Sequence, residues 1–234
     1  MTEQISLFSN QLPSEVDALS PETWEQIPTR ASIPIPSGTY ENLEQLAQHC
    51  NQCQRCDLAG GRTNVVVSRG NPNNAAIMII GEGPGQHEDE QGLPFVGKSG
   101  QLLDKILASV RLDIKNDVYI CNVVKCRPPG NRAPTAGEVA ACIPYLKEQV
   151  RLVDPKIILL TGGTALKGLV GVKQGITKVR GNWMEWEGRN CMAIFHPAYL
   201  LRNPSREKGK PKWLMWQDIQ EIKKKLDEVN SQQA

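Results

Sequence analysis

Short apolar runs alternate with helical patterns along most of this chain. Four nearly continuous apolar runs, typical of strands buried on both faces, cover residues 75–80, 118–124, 156–161 and 191–195. Apolar residues at helical spacing predict helices over residues 99–110, 135–153, 164–170 and about 213–229. This alternation predicts an α/β fold with right-handed crossovers and a central, mostly parallel four-stranded sheet.

Two further segments extend this plan. Residues 177–187 and 190–195, which are separated by Glu187-Gly-Arg-Asn190, predict a hairpin added to the sheet. Residues 1–40 are rich in Pro, Ser, Gln and acidic residues and show no sustained apolar period, so we expect a flexible N-terminal extension. The chain is therefore divided into this extension and one domain over residues 41–230.

Composition narrows the class of protein. The chain has 234 residues, a net charge of +2 and seven cysteines, an odd number that does not suit a disulfide framework. No window approaches the length of uninterrupted apolar sequence that a membrane span needs. The first residues include Glu3 and lack the basic and apolar regions of an export signal. We therefore expect a cytoplasmic protein with reduced thiols.

Four of the cysteines form two pairs that lie far apart in the sequence. Cys53 and Cys56 are three positions apart, and Cys126 precedes Cys142 by sixteen. Four thiolates of this kind can hold either zinc or an iron–sulfur cluster, and their spacing allows both. Cys50, about one helical turn before Cys53, is an alternative ligand.

Four predicted loops, residues 81–92, 125–132, 162–163 and 196–202, follow the predicted strands, where ligands bind in parallel sheets. Gly81-Glu-Gly-Pro-Gly85 fails the GxGxxG spacing because Gln86 takes the third glycine position, which disfavours an oxidoreductase with a nucleotide cofactor. Its glycines favour a backbone lying close to a flat ligand. His196 follows a predicted strand and directly precedes a proline, which restricts its main chain. Asn122, near the end of another strand, offers both a hydrogen-bond donor and an acceptor.

An apolar and basic segment comes after His196. Residues 202–212 carry five cations against one acidic residue, and bulky apolar residues precede them. An apolar wedge flanked by cations suits insertion into a base stack, with the cations on phosphates. A solvated surface loop is the alternative interpretation. The candidate DNA contacts are Tyr199, Leu200, Leu201, Arg202, Arg206 and Lys208.

Three motifs together resemble the family 4 uracil-DNA glycosylases, the iron–sulfur type. They are Gly81-Glu-Gly-Pro-Gly85 with Leu93-Pro-Phe-Val-Gly-Lys98, then Asn122-Val-Val-Lys-Cys-Arg-Pro-Pro129, then His196-Pro-Ala-Tyr-Leu-Leu201. The likeness covers about residues 46–226. It implies a three-layer, doubly wound α/β/α domain that flips uracil out of single- or double-stranded DNA, hydrolyses its N-glycosidic bond and leaves an abasic site.

The resemblance also implies roles for single residues. Phe95 would stack on uracil, Asn122 would read its amide edge, and Glu88 would exclude the methyl group of thymine. Gly83, Pro84 and Gly85 would line the pocket, and His196 with main-chain N–H groups of this turn would stabilise the departing uracil anion. The resemblance assigns a [4Fe-4S] cluster rather than zinc to Cys53, Cys56, Cys126 and Cys142.

Water activation is assigned less directly. Relatives in the wider superfamily place an aspartate where this chain has Gly83, so Glu82 and Asp89 are the candidates. A related group traps uracil-DNA covalently through a histidine in a basic insertion, which residues 126–132 lack. A metal-stabilised DNA-binding module without catalysis also stays open. We expect a monomer whose N-terminal extension could contact a replication or repair partner.

Overall fold

The structure, a computed structural model, describes residues 34–231 and has three layers, with helices on both faces of one sheet. The six strands are β1 Arg69–Gly70, β2 Ile77–Gly81, β3 Val118–Asn122, β4 Ile157–Thr161, β5 Trp183–Trp186 and β6 Arg189–Ile194. The helices are α1 Leu43–Asn51, α2 Gln86–Gln91, α3 Lys98–Ser109, α4 Ala136–Val153, α5 Gly163–Val170, α6 Ile176–Val179, α7 Pro197–Arg202 and α8 Pro211–Ser231. None of these helices has the length and apolar character that crossing a membrane requires.

The sheet has the order β1-β3-β2-β4-β6-β5, and its four central strands are parallel. Every residue of β2, β3 and β4 is buried, as expected for strands covered by helices on both faces. The α/β prediction is confirmed. The chain steps outward from β2 to β3 and then crosses back to β4, so the topological switch point lies beside the end of β2.

Each face of the sheet has its own apolar core. On one face, Leu146 of α4 and Leu166 of α5 pack against the strands. On the other, Leu107 of α3 and Ile219 of α8 do so. Because both helical layers are anchored by apolar contacts along their length, the strand ends are left as the rigid edge on which loops can carry polar groups.

The sequence-based predictions were wrong about several short elements. The segments 81–92 and 196–202, which we expected to be loops, contain α2 and α7. The first part of the predicted strand 177–187 holds α6, and only Trp183–Trp186 pairs with β6 in the hairpin. Two-residue β1 was missed. These elements have only two to six residues and, unlike the central strands, no continuous apolar run that would mark them.

The packed domain begins before the predicted boundary at residue 41. Ile35 and Tyr40 are buried in a small cluster with Tyr145 of α4. Glu148 of α4 accepts the main-chain N–H of Gly38 at 3.0 Å. Residues 34–40 therefore belong to the domain, and residues 1–33, the rest of the predicted extension, lie outside the described part of the chain.

A buried ion pair fastens α8 to the segment between α6 and β5. Arg180 Nε donates to Asp218 Oδ2 at 2.8 Å, and a second guanidinium N–H donates to Oδ1. The guanidinium also lies over the ring of Phe195, 5.6 Å from its centroid. The carboxylate is buried, so its charge is balanced by Arg180 rather than by water.

We expect Asp218→Ala to lower the free energy of unfolding by about 3 kcal/mol, because it leaves the largely desolvated guanidinium of Arg180 without a counter-charge. Asp227→Ala is the matched control on the same helix, because Asp227 is 59% exposed in its pair with Lys223. That variant should cost less than about 1 kcal/mol. Chemical denaturation measures both, and equal losses would contradict the assignment.

Candidate functional site

A cavity of about 510 Å³ opens at the carboxyl ends of the parallel strands. Asn122 is the last residue of β3, Thr161 is the last of β4, and His196 follows β6. The lining comprises Glu82, Gly83, Pro84, Gly85, Glu88, Phe95, Ser99, Asn122, Pro128, Asn131, Arg132, Thr161, Gly162, Gly163, His196, Ala198 and Arg202. The structure therefore brings together nine of the predicted site residues, at the switch point of the sheet.

The ring of Phe95 stacks beside that of His196 in the lining of the cavity. The two rings are nearly parallel, with an interplanar angle of 27° and 5.7 Å between centroids. A Cβ atom at Gly81 would lie 2.3 Å from Asn122 Oδ1 and 2.6 Å from the Phe95 ring. Gly81 is therefore required because the aromatic ring and the amide both pack against its backbone.

Phe95 is held in an unusual conformation by its neighbours. Its φ of 55° lies in the left-handed region, which is costly for a bulky side chain. Arg69 of β1 donates to the main-chain oxygens of Pro94 at 2.8 Å and Phe95 at 3.1 Å, and it pairs with Asp104 at 2.6 Å. Arg69 therefore braces the ring from behind, a role that sequence reasoning missed.

Glu88 ties two loops of the site together. Its Oε1 accepts the N–H groups of Val96 at 3.0 Å and Gly97 at 2.8 Å, and its Oε2 accepts the N–H of Gly85 at 3.1 Å. The carboxylate is thus a fixed wall of the cavity that also positions the Phe95 segment. We predicted that main-chain N–H groups of the glycine turn stabilise the departing anion. The N–H of Gly85 already donates to Glu88, so only that of Gly83 remains as a candidate donor in this turn.

His196 is partly buried, and one of its ring nitrogens already has a hydrogen-bond partner. The main-chain N–H of Ala198 donates to its Nδ1 at 3.2 Å, which selects the tautomer with the proton on Nε2. Burial lowers the pKa of His196. The carboxylate of Glu82 opposes this shift, and the positive charge of Arg202 adds to it. The ring is therefore a neutral N–H donor in the cavity at neutral pH.

The two candidate carboxylates for water activation lie in different places. Glu82 lines the cavity and accepts a hydrogen bond from the hydroxyl of Thr164, at the start of α5. Asp89 lies outside the cavity lining, buried, and accepts the N–H groups of Thr63 at 2.9 Å and Asn64 at 3.2 Å. Asp89 anchors a neighbouring segment, so the prediction for it is wrong and Glu82 is the candidate that remains.

The predicted wedge is divided between core and surface. Leu200 is 1% exposed and packs in the core beside α3 and α8, so the prediction that it enters a base stack is wrong. Leu201 is 44% exposed and remains available. Tyr199 packs on Phe195 with 5.0 Å between ring centroids. The exposed basic side chains beside them are Arg202, Arg206 and Lys208.

Several lining residues were not singled out from the sequence. Arg132 donates to both oxygens of Glu138, at 2.9 and 2.7 Å, and this pairing lowers the pKa of Glu138 to about 2. Thr161 stands at the end of a predicted strand, and its position could have marked it. Ser99 of α3 lines the cavity, whereas Thr164 of α5 reaches it only through its hydrogen bond to Glu82.

A second, small cavity is surrounded by cysteines. Its lining includes Cys50, Cys53, Cys56, Cys126 and Cys142, together with Arg62 and Lys125. All five are free thiols. Within residues 34–231, no three His, Cys, Asp or Glu side chains form a group that could hold a single metal ion.

N–H groups point at the sulfurs of the four cysteines predicted as ligands. The N–H of Arg55 donates to Cys53 Sγ at 3.4 Å, and Arg62 Nη1 donates to Cys126 Sγ at 3.4 Å. Burial raises the pKa of Cys142 to about 12, against which the main-chain N–H of Lys125 acts. Burial likewise raises the pKa of Cys56, opposed by the N–H of Leu58. Such donors favour thiolates, which are the form that binds metal.

A family model and three relatives at 38–45% identity agree on one superfamily. Residues 67–220 match the model of the uracil DNA glycosylase superfamily. The chain is 45% identical over 185 residues to a type-4 uracil-DNA glycosylase of Thermotoga maritima, covering 78% of this chain and 94% of the relative. It is 40% identical over 177 residues to the type-4 enzyme of Sulfurisphaera tokodaii, covering 72% and 80%. It is 38% identical over 194 residues to the type-4 enzyme of Saccharolobus solfataricus, covering 80% of this chain and 87% of the relative.

We expect the imidazole of His196 to titrate below its ordinary pKa of 6.5, because burial disfavours the charged form. The unfolded chain then binds this proton first, so the contribution of His196 to stability is present above pH 6.5 and declines as pH falls below it. NMR of labelled imidazoles measures the midpoint, and His196→Gln identifies the signal. A midpoint above 6.5 would rule out the neutral donor.

Proposed function

The chain belongs to the type-4 enzymes of the uracil DNA glycosylase superfamily, and from this premise we propose that the cavity at the strand ends is its active site. The protein is a uracil-DNA glycosylase, a hydrolase that removes uracil from DNA for repair. The observation that carries the assignment of the site is the convergence of Phe95, Asn122 and His196 on one cavity at the switch point of the sheet.

Uracil must leave the duplex before it can enter this cavity. Flipping costs a few kcal/mol of unstacking, which a weak U·G pair lowers. The Phe95 ring offers a planar surface to the flipped base, and stacking of this kind contributes about 1–3 kcal/mol per base. Leu201, rather than Leu200, is the exposed side chain that would fill the emptied stack, with Arg202, Arg206 and Lys208 on phosphates.

Selection of uracil is assigned to Asn122 and Glu88. The Asn122 amide offers both a donor and an acceptor to the amide edge of uracil, and cytosine presents the reverse pattern, which would leave buried polar groups unpaired. Glu88 is held by three main-chain N–H groups, so it cannot move aside for an added methyl group. This rigidity supports its proposed role in excluding thymine.

Cleavage of the N-glycosidic bond leaves negative charge on uracil and positive charge on the sugar. His196 Nε2–H is the proposed donor to the oxygen on which the negative charge develops, assisted by the N–H of Gly83. A neutral imidazole suits this role, since it donates a hydrogen bond without transferring a proton. Glu82, steadied by Thr164, is the proposed carboxylate that positions the attacking water and faces the sugar cation.

Cys53, Cys56, Cys126 and Cys142 are the proposed ligands of a [4Fe-4S] cluster. Their sulfurs surround one cavity and receive N–H donors, which fits a cluster of thiolate ligands. When bound, the cluster would supply covalent cross-links, not redox chemistry, between the segment after α1, the segment after β3, and α4. The reduced thiols that it needs support a cytoplasmic enzyme, which we propose to act as a monomer on single- or double-stranded DNA.

The excision assay tests the function and the role of His196 together. Oligonucleotides with one uracil are incubated with the protein, and alkali then cleaves at abasic sites. His196→Ala should lower kcat by roughly 100- to 1000-fold, the cost of one preorganised donor, while the fold is retained. His87→Ala, on the exposed side of α2, is the control and should keep the wild-type rate. Uncleaved strands with the wild-type protein would refute the assignment of the function. Full activity of His196→Ala would refute the role of His196 as the hydrogen-bond donor.

Replacing single cysteines tests the ligand set. Cys53→Ala should abolish the visible absorbance and lower the iron and sulfide content, because it removes a ligand. Cys50→Ala should keep both, since Cys50 is fully buried against Tyr40 and Tyr145 and has no N–H donor to its sulfur among residues 34–231. Elemental analysis measures the metal. Zinc in place of iron, or loss of metal only in Cys50→Ala, would contradict the proposal.

A further inference from the structure

Lys125 is a lysine inside the protein core. Its side chain is 1% exposed and lies between Asn122, in the substrate cavity, and Cys126, at the cysteine cavity. Nζ donates to the main-chain oxygen of Asn122 at 2.6 Å and to Oε1 of Gln149 on α4. It also contacts the thiol of Cys121. All three donors of the ammonium group therefore have partners, and all three partners are uncharged.

A buried ammonium group with only neutral partners is unfavourable. Among residues 34–231, no carboxylate lies within 4.0 Å of Nζ, in contrast to the partly buried Arg180, which pairs with Asp218. Burial of a cation without an anion normally costs several kcal/mol. The fold retains Lys125 in this position nevertheless, so a source of negative charge is expected close by.

The cysteines supply that charge if they bind metal. Lys125 lines the cysteine cavity together with Cys126 and Cys142. The main-chain N–H of the same lysine faces the Cys142 sulfur. Four thiolates around a metal centre carry net negative charge, whereas four thiols carry none. An anionic centre in this cavity would therefore balance the buried ammonium group.

The same side chain reaches the substrate site. Its bond to the oxygen of Asn122 holds the end of β3, from which the Asn122 amide enters the cavity. Gln149 is itself fixed, because its Nε2 donates to the hydroxyl of Tyr119 at 2.8 Å and the oxygen of Val67 at 3.2 Å. A chain of polar contacts thus runs from α4 through Gln149 and Lys125 to Asn122.

We propose that Lys125 is a positioning residue with two linked roles: it balances the negative charge of the cysteine-bound centre, and it fixes the strand end that carries the base-reading amide. The inference rests on the proposed cluster and on the proposed role of Asn122. This link would give a cluster without redox chemistry a role beside the site. The negative charge of the centre stabilises the Lys125 ammonium group, and that group in turn positions Asn122.

Lys125→Met tests the proposal, because methionine keeps much of the length of the side chain and removes the charge. Two readouts are expected to change. The visible absorbance of the centre should decay several-fold faster in the presence of a chelator. The kcat for uracil should fall on the order of tenfold, the scale of a lost buried hydrogen bond, with KM for DNA little changed. Lys224→Met, 69% exposed on α8, removes the same charge and should alter neither.

A double variant separates positioning from general loosening of the fold. If Lys125 acts through Asn122, then Asn122→Ala/Lys125→Met should be no slower than Asn122→Ala alone, because there is no amide left to position. If the fold-losses in kcat of the two single variants multiply in the double variant, the proposal is overturned. It is also overturned if Lys125→Met retains the metal and the kcat of the wild type.

If Lys125→Met does not fold, Gln149→Met decides the link to Asn122. It keeps the ammonium group and removes one of its acceptors, so iron should be retained and kcat should fall. An unchanged kcat would overturn the link. Wild-type protein that lacks iron or leaves uracil in DNA would instead show that the proposed cluster or the function itself fails, which the iron content and the excision assay report separately.

Discussion

Burial of the central strands on both faces is the constraint on which the rest of this structure depends. Helices cover β2, β3 and β4 from both sides, so polar groups are accommodated where the strands end. Parallel strands end at the same edge, and the chain reverses its direction of winding beside β2. Asn122 and His196, which are 74 positions apart in the printed sequence, consequently meet in one cavity.

Rigidity of that cavity comes from side chains that hold its main chain in place. Glu88 connects the first glycine turn to the segment of Phe95, and Arg69 holds the main chain of Phe95 in its unusual conformation. Each uses charge-assisted hydrogen bonds to main-chain groups, which are stronger than neutral ones. Recognition of a flat base by a ring and an amide depends on their spacing, so these braces matter as much as the groups in contact.

The cysteine centre extends the same logic to the end of β3. Cys126 follows Asn122 by four positions, and Lys125 between them bonds to the main chain of Asn122. Metal binding would therefore tie α4 and the segment after α1 to the strand end that is proposed to read the base. The proposed cluster beside the proposed pocket would then serve to position the site, because ordered ligands leave the strand end few alternative conformations.

The sequence by itself determined the long elements and the motifs at their ends. The four parallel strands and the helices α3, α4, α5 and α8 were predicted because apolar periodicity over five or more residues reports burial directly. Tertiary structure alone decided which of two neighbouring side chains does which task. Leu200 is buried while Leu201 is exposed, and Asp89 caps a distant segment while Glu88 lines the cavity. Neighbouring side chains of a helix point about 100° apart. Whether each of them meets the core or the solvent depends on residues far away in the chain.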